Sequence, residues 1–280
     1  MNLAAIARIV VALDPDAPNE FALDIARHLP QSAATELLGL FVEDARLLAH
    51  AGSRLAREVV FGGGERAFER PALERQIRAQ AAEQRRRFES AATRLGLRHA
   101  FHVIRGERLA ELVREATDAE ALVVTLAART AALPGWSASA LRQIARAPLR
   151  SVLFAREGWT GNRVVALLAR PEQGAPSLRA AIRFARASLS PLTVLLHGAA
   201  GKRVAEVEQW LAAAMGPTGL GRSLVLAIGD LTVARLRDVS RDARLVVLPA
   251  AHSTSEEAFI DAALDTLRIP LLLVREEEGL

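Results

Sequence analysis

Residues 10–13 read Val-Val-Ala-Leu, and residues 164–167 read Val-Val-Ala-Leu again, 154 positions later. Both lie inside short apolar runs, Arg8–Leu13 (RIVVAL) and Arg163–Leu168 (RVVALL). Such runs do not alternate, which suits parallel strands buried on both faces. Leu122-Val123-Val124 recurs as Leu245-Val246-Val247, 123 positions apart, and Gly106 and Gly229 share that separation. Ala147-Pro148-Leu149 has its echo in Ile269-Pro270-Leu271, 122 apart. Landmarks that share one separation mark an internal duplication. The fall from 154 to 123 places about 31 extra residues in the first copy, between its first and third strands.

Further runs complete each set. In the first copy they are Glu36–Val42, His99–Ile104 and Arg150–Phe154, besides the two already quoted. In the second they are Leu192–Leu196, Ser223–Ile228 and Leu271–Val274. Segments with helical spacing lie between them. Phe21, Leu23, Ile25, Ala26 and Leu29 form one. Leu109, Leu112, Val113 and Ala116 form another, and Leu141, Ile144 and Ala145 a third. The second copy has 175–188, 203–215, 231–242 and 256–267. Strand–helix alternation of this kind predicts parallel sheets built from βαβ units. The reading is two α/β domains, 1–157 and 162–280, joined at Glu157-Gly158-Trp159-Thr160-Gly161-Asn162. That junction is too short to let the copies move freely.

The extra residues include a long helix. Pro71 suits a helix start. Leu73, Ile77, Ala81, Gln84, Phe88, Ala92 and Leu95 follow at spacings of three and four, and Gly96 suits the stop. The other face carries Arg75, Arg78, Arg85, Arg86 and Arg87. The apolar stripe predicts packing on its own domain; the alternative is a homodimer through 71–95.

Composition removes several function classes. The formal charge is +4, and all 36 basic residues except Lys202 are arginine. The 32 acidic residues are interleaved with them and aromatics are 4%. No basic stripe with stacking platforms is visible, so a nucleic-acid partner is not expected. There is no cysteine, hence no disulfide, cysteine zinc site or thiol nucleophile. The six histidines are scattered and no metal site is expected. Met1–Leu13 reads as a strand rather than a secretory signal, and no run reaches the ~18 apolar residues of a membrane span. A cytoplasmic protein is expected.

The order of features resembles the universal stress protein family. A strand ends in acid (Val10-Val11-Ala12-Leu13-Asp14). A Gly-led helix (Gly106–Thr117) and the strand Leu122–Leu126 follow, then a helix into Ala147-Pro148-Leu149. The resemblance implies two open parallel five-stranded α/β sandwiches, each with strand order 3-2-1-4-5. It also implies pairing of the copies through their last strands, 150–154 and 271–274, as an intramolecular pseudo-dimer. Nucleotide-binding members hold ATP beyond the ends of strands 1 and 4 with a Gly-x2-Gly-x9-Gly-Ser/Thr loop. Glycines there let backbone N–H groups reach the phosphates, and the last pair opens a helix.

This chain departs from that loop in both copies. The motif positions fall at Leu126, Arg129, Ser139 and Ala140, and at Pro249, His252, Ala262 and Ala263; none is glycine. The first copy keeps Asp14 and, more loosely, Val42, whose backbone would meet adenine by analogy; Leu168 replaces the acid in the second. Arg129, Ser137 and Ser139 are substitute phosphate contacts, against the plainer reading of a serine helix cap. Gly62-Gly63-Gly64 reads as a flexible connection, with a phosphate loop as the alternative. No catalytic constellation appears, and no catalytic residue is named.

The expected function is therefore a non-catalytic stress-response or regulatory protein with no cofactor. One alternative is an adenine-nucleotide binder or slow ATPase using the first copy, taking ATP, ADP or another small ligand. Another, less favoured, is an anionic-surface or nucleic-acid binder through the arginine face of the inserted helix.

Overall fold

The computed structural model describes residues 6–14, 20–29, 31–51, 57–60, 64–67, 70–126, 136–156, 161–168, 175–219 and 223–275. The first half contains β1 (Ile6–Ala12), α1 (Glu20–Ala26), β2 (Gln31–Asp44), α2 (Ala45–Ala51), β3 (Arg57–Val60) and β4 (Gly64–Ala67). It continues with α3 (Arg70–Arg94), β5 (Arg98–Gly106), α4 (Arg108–Ala116), β6 (Ala121–Leu126), α5 (Ala138–Arg146) and β7 (Ser151–Arg156). The second half contains β8 (Arg163–Leu168), α6 (Pro176–Ala187), β9 (Leu192–His197), α7 (Val204–Gly219) and β10 (Leu224–Ile228). Then come α8 (Val233–Val239), β11 (Ala243–Pro249), α9 (Thr254–Thr266) and β12 (Leu271–Val274).

Ten strands form one sheet in the order β10-β9-β8-β11-β12-β7-β6-β1-β2-β5. Each half is a parallel 3-2-1-4-5 array, with strand 1 flanked by strands 2 and 4. The strand order reverses beside β1 and again beside β8, and each reversal opens a crevice beyond the strand ends. The central strands are apolar and buried on both faces, Val10 and Val11 on β1 and Val164 and Val165 on β8 among them. Two apolar layers, one on each face of the sheet, run through both halves.

The inserted helix is α3. Leu73, Ile77, Ala81, Gln84, Phe88 and Ala92 are buried, and α3 packs on β2 and β5. Gly39 makes room for the Phe88 ring on β2, since a Cβ there would lie 2.9 Å from it. Gly96 stops the helix with φ +67. The apolar stripe is thus covered by its own half, and a homodimer on this helix has only the polar face to use. On that face Arg70 and Arg78 pair with Glu74, Arg85 with Glu89, and Arg86 and Arg87 with Glu83.

Besides a short 3-10 turn at Gly198–Arg203, three elements among the described residues were not expected. α2 starts where Asp44 Oδ1 accepts the Arg46 N–H at 2.8 Å. β3 and β4 form a hairpin in which Val60 is paired with Gly64. The third glycine of the triple therefore opens a strand; Gly62 and Gly63 lie outside the described residues. β2 begins five residues earlier than the apolar run, at Gln31.

The halves meet at β7 and β12, which pair antiparallel from Leu271↔Phe154 to Val274↔Ser151. Arginines at the ends of the two strands, the last residue of β7 and the residue after β12, reach across in mirrored fashion. Arg156 Nη2 donates to the Leu264 carbonyl of α9 at 2.6 Å, and Arg275 Nη2 donates to the Ala147 carbonyl after α5 at 2.9 Å. Burial pushes Arg156 down to about 10, which still leaves it charged at neutral pH.

Above the joint α5 meets α9. Arg142 pairs with Asp265 at 2.9 Å, and Arg146 with Asp261 at 2.7 Å and Glu257 at 3.1 Å. The double change Arg142→Glu, Arg146→Glu puts like charges together and is expected to lower stability by about 1–2 kcal/mol. Urea denaturation checks this; adding Asp261→Arg should recover part of the loss.

Candidate functional site

The crevice of the first half lies beyond β1 and β6. Ala12 is level with Leu40 on β2, and two residues further along come Asp14 and Val42. Asp14 is buried, at 2% exposure. Arg108, the first residue of α4, places Nη2 3.5 Å from Asp14 Oδ2. The same guanidinium lies 4.0 Å over the Trp136 ring. Beyond these contacts Arg108 Nη2 and Trp136 Nε1 are buried without a hydrogen-bond partner. The charge of Asp14 is therefore already met by the protein's own cation, which is clamped by an indole face.

Ser137 caps α5, its Oγ accepting the Ala140 N–H at 3.1 Å. Ser139 Oγ accepts from Gln143 Nε2 at 3.3 Å within the same helix. Both serines are exposed. Arg129 lies outside the described residues. The structure thus puts Asp14 and Val42 at neighbouring strand ends and the two serines at the start of α5. Arg108, which pairs with Asp14, and Trp136, which covers Arg108, are not singled out by the sequence pattern. The one local hint was Gly106-Glu107-Arg108, an arginine at a helix start, where the helix dipole disfavours a cation.

The equivalent crevice of the second half contains a cavity of about 340 Å³. Leu167, Leu248, Phe259 and Ile260 supply apolar walls, and His197 and Glu256 are among its polar lining. The sequence reading placed any ligand in the first copy; this cavity belongs to the second. His197 Nδ1 lies 2.8 Å from the Gly229 carbonyl.

The connection from β11 to α9 is only residues 250–253. It contains no glycine. Ala262 and Ala263, placed by alignment at the helix-opening pair of the phosphate motif, lie inside α9, with Ala263 fully buried. The helix opens instead with a capping box. Ser253 Oγ accepts the Glu256 N–H at 3.4 Å, and Glu256 Oε2 accepts the His252 N–H at 2.7 Å. That backbone hydrogen bond is the main cause holding the Glu256 carboxyl below its usual range, so it is ionised at neutral pH. The Glu256 carboxylate thus sits at the start of its own helix and takes the His252 N–H there.

No helix among the described residues is long and apolar enough to cross a membrane. No protein-family model matches the sequence, and no curated protein matches it. Solved structures do match. A universal stress protein from Archaeoglobus fulgidus DSM 4304 is 11% identical with a TM-score of 0.62, covering 97% of both chains. A functionally unknown protein from Pseudomonas aeruginosa PAO1 is 16% identical with a TM-score of 0.56, covering 97% of this chain and 93% of its own. The cytoplasmic domain of a prokaryotic cation chloride cotransporter is 11% identical with a TM-score of 0.50, over 95% and 94%. Identities this low speak for architecture alone, and in architecture this chain matches the universal stress protein fold over 97% of its length.

Proposed function

We propose that the chain is a non-catalytic, universal-stress-protein-like regulatory or stress-response protein that works without binding ATP. The supporting observation is the start of α9, where Glu256 occupies the anion position and the four-residue connection carries no glycine. A phosphate brought there would meet the fixed negative charge of Glu256 at the helix start. In the first half an adenosine would compete with Arg108 for Asp14.

The test is a calorimetric titration of the purified protein with MgATP, with phosphate release followed in parallel. Neither saturable heat nor hydrolysis is expected. Stoichiometric ATP or ADP carried through purification would overturn the reading.

A further inference from the structure

We propose that the second-half cavity is a binding site for a small, largely apolar molecule with one N–H donor head, a primary amine being the simplest. Its size, about 340 Å³, is at the lower end of ligand pockets. The walls from Leu167, Leu248, Phe259 and Ile260 suit an apolar body. The polar groups decide the head.

A carbonyl oxygen can only accept, so the His197 Nδ1 that meets the Gly229 carbonyl carries the proton. With Nδ1 committed to that carbonyl, Nε2 is the ring nitrogen left to meet a ligand, as an acceptor whenever the imidazole is neutral. Glu256, also lining the cavity, is a carboxylate with about four acceptor sites. Its contacts to the start of α9 leave capacity for one more donor. The N-terminus of α9 contributes only about half a positive charge, which one carboxylate outweighs. His197 and Glu256 thus offer acceptors, the Ser255 hydroxyl can act either way, and the one fixed charge in the lining is the Glu256 carboxylate, which favours a cationic donor over an anion. This goes beyond the absence of ATP: it assigns a site, in the half that lacks the Asp14 equivalent, and a ligand class.

Phenethylamine and phenylacetate serve as probes, because they share a ring and differ in the charge of the head. Phenethylamine is expected to bind saturably at one site per chain, and phenylacetate at least about tenfold more weakly, the scale of one charge-assisted hydrogen bond. Glu256→Gln keeps an acceptor for the helix cap, removes the charge and should weaken the amine by about tenfold. Ala250→Phe, at a residue lining the cavity, should abolish binding by filling it, and does not depend on the cap. Asp14→Asn, in the other crevice, should leave amine affinity unchanged. Equal affinity for both probes, binding of neither, or loss on Asp14→Asn with retention on Ala250→Phe overturns the proposal. Saturable ATP binding with amine binding intact would instead overturn only the ATP-free reading above.

Discussion

Phe154→Ala is expected to lower the free energy of unfolding by about 3–5 kcal/mol, the usual cost of truncating a buried phenylalanine. Phe154 has no exposed surface and is among the largest side chains buried to that degree. It lies on β7, facing Val124 of β6 on one side and Leu271 of β12 on the other. The two neighbours come from different halves, so the void would open where they join. Little collapse can relieve it, because the sheet backbone on both sides is fixed by ladder hydrogen bonds. Chemical denaturation followed by circular dichroism measures the loss. A change below about 1 kcal/mol would mean that the joint is packed differently from the structure described above.

Gly161→Ala is expected to cost about 3 kcal/mol, the upper range for forcing extra volume into a packed site. A Cβ at this position would lie 2.2 Å from both the carbonyl carbon and the oxygen of Ala243, and 2.4 Å from the Arg244 nitrogen. These are backbone atoms of β11, so no rotamer change offers escape. The segment is tied down as well: the Gly161 carbonyl accepts from Arg244 Nε at 2.9 Å, and the Asn162 N–H donates to the Asp242 carbonyl at 3.1 Å. Relief requires moving the start of β8 away from β11. The same denaturation experiment reads it, and a cost under about 0.5 kcal/mol would show that the chain passes Ala243 at a greater distance.

The strands of the sheet were legible because burial on both faces leaves a continuous apolar run, as at Val10–Leu13 and Leu245–Leu248. α3 was legible because one covered face over 25 residues repeats its period many times. Short elements lacked that redundancy. α2 has seven residues and rests on the Asp44 cap, and β3 and β4 have four each, so their identity comes from pairing with each other. The polar start of β2, Gln31 to Thr35, hid the early pairing with β1.

The site divides in the same way. Ser253 and Glu256 carry a capping-box spacing readable in the sequence, but its consequence depends on where α9 begins relative to the sheet. Arg108 and Asp14 are 94 residues apart, and no local pattern announces a pair at that distance.

The helices above the joint add one consequence. α5 offers Arg142 and Arg146, while α9 offers Glu257, Asp261 and Asp265. Two copies of either helix would repel each other, whereas the unlike pair attracts. The joint therefore has a polarity that a symmetric pair of identical subunits cannot have. Each half is the other's specific mate, and the covalent link guarantees that mates are always made in equal number and born side by side. Under that arrangement the two crevices are free to diverge, because neither half has to match a copy of itself.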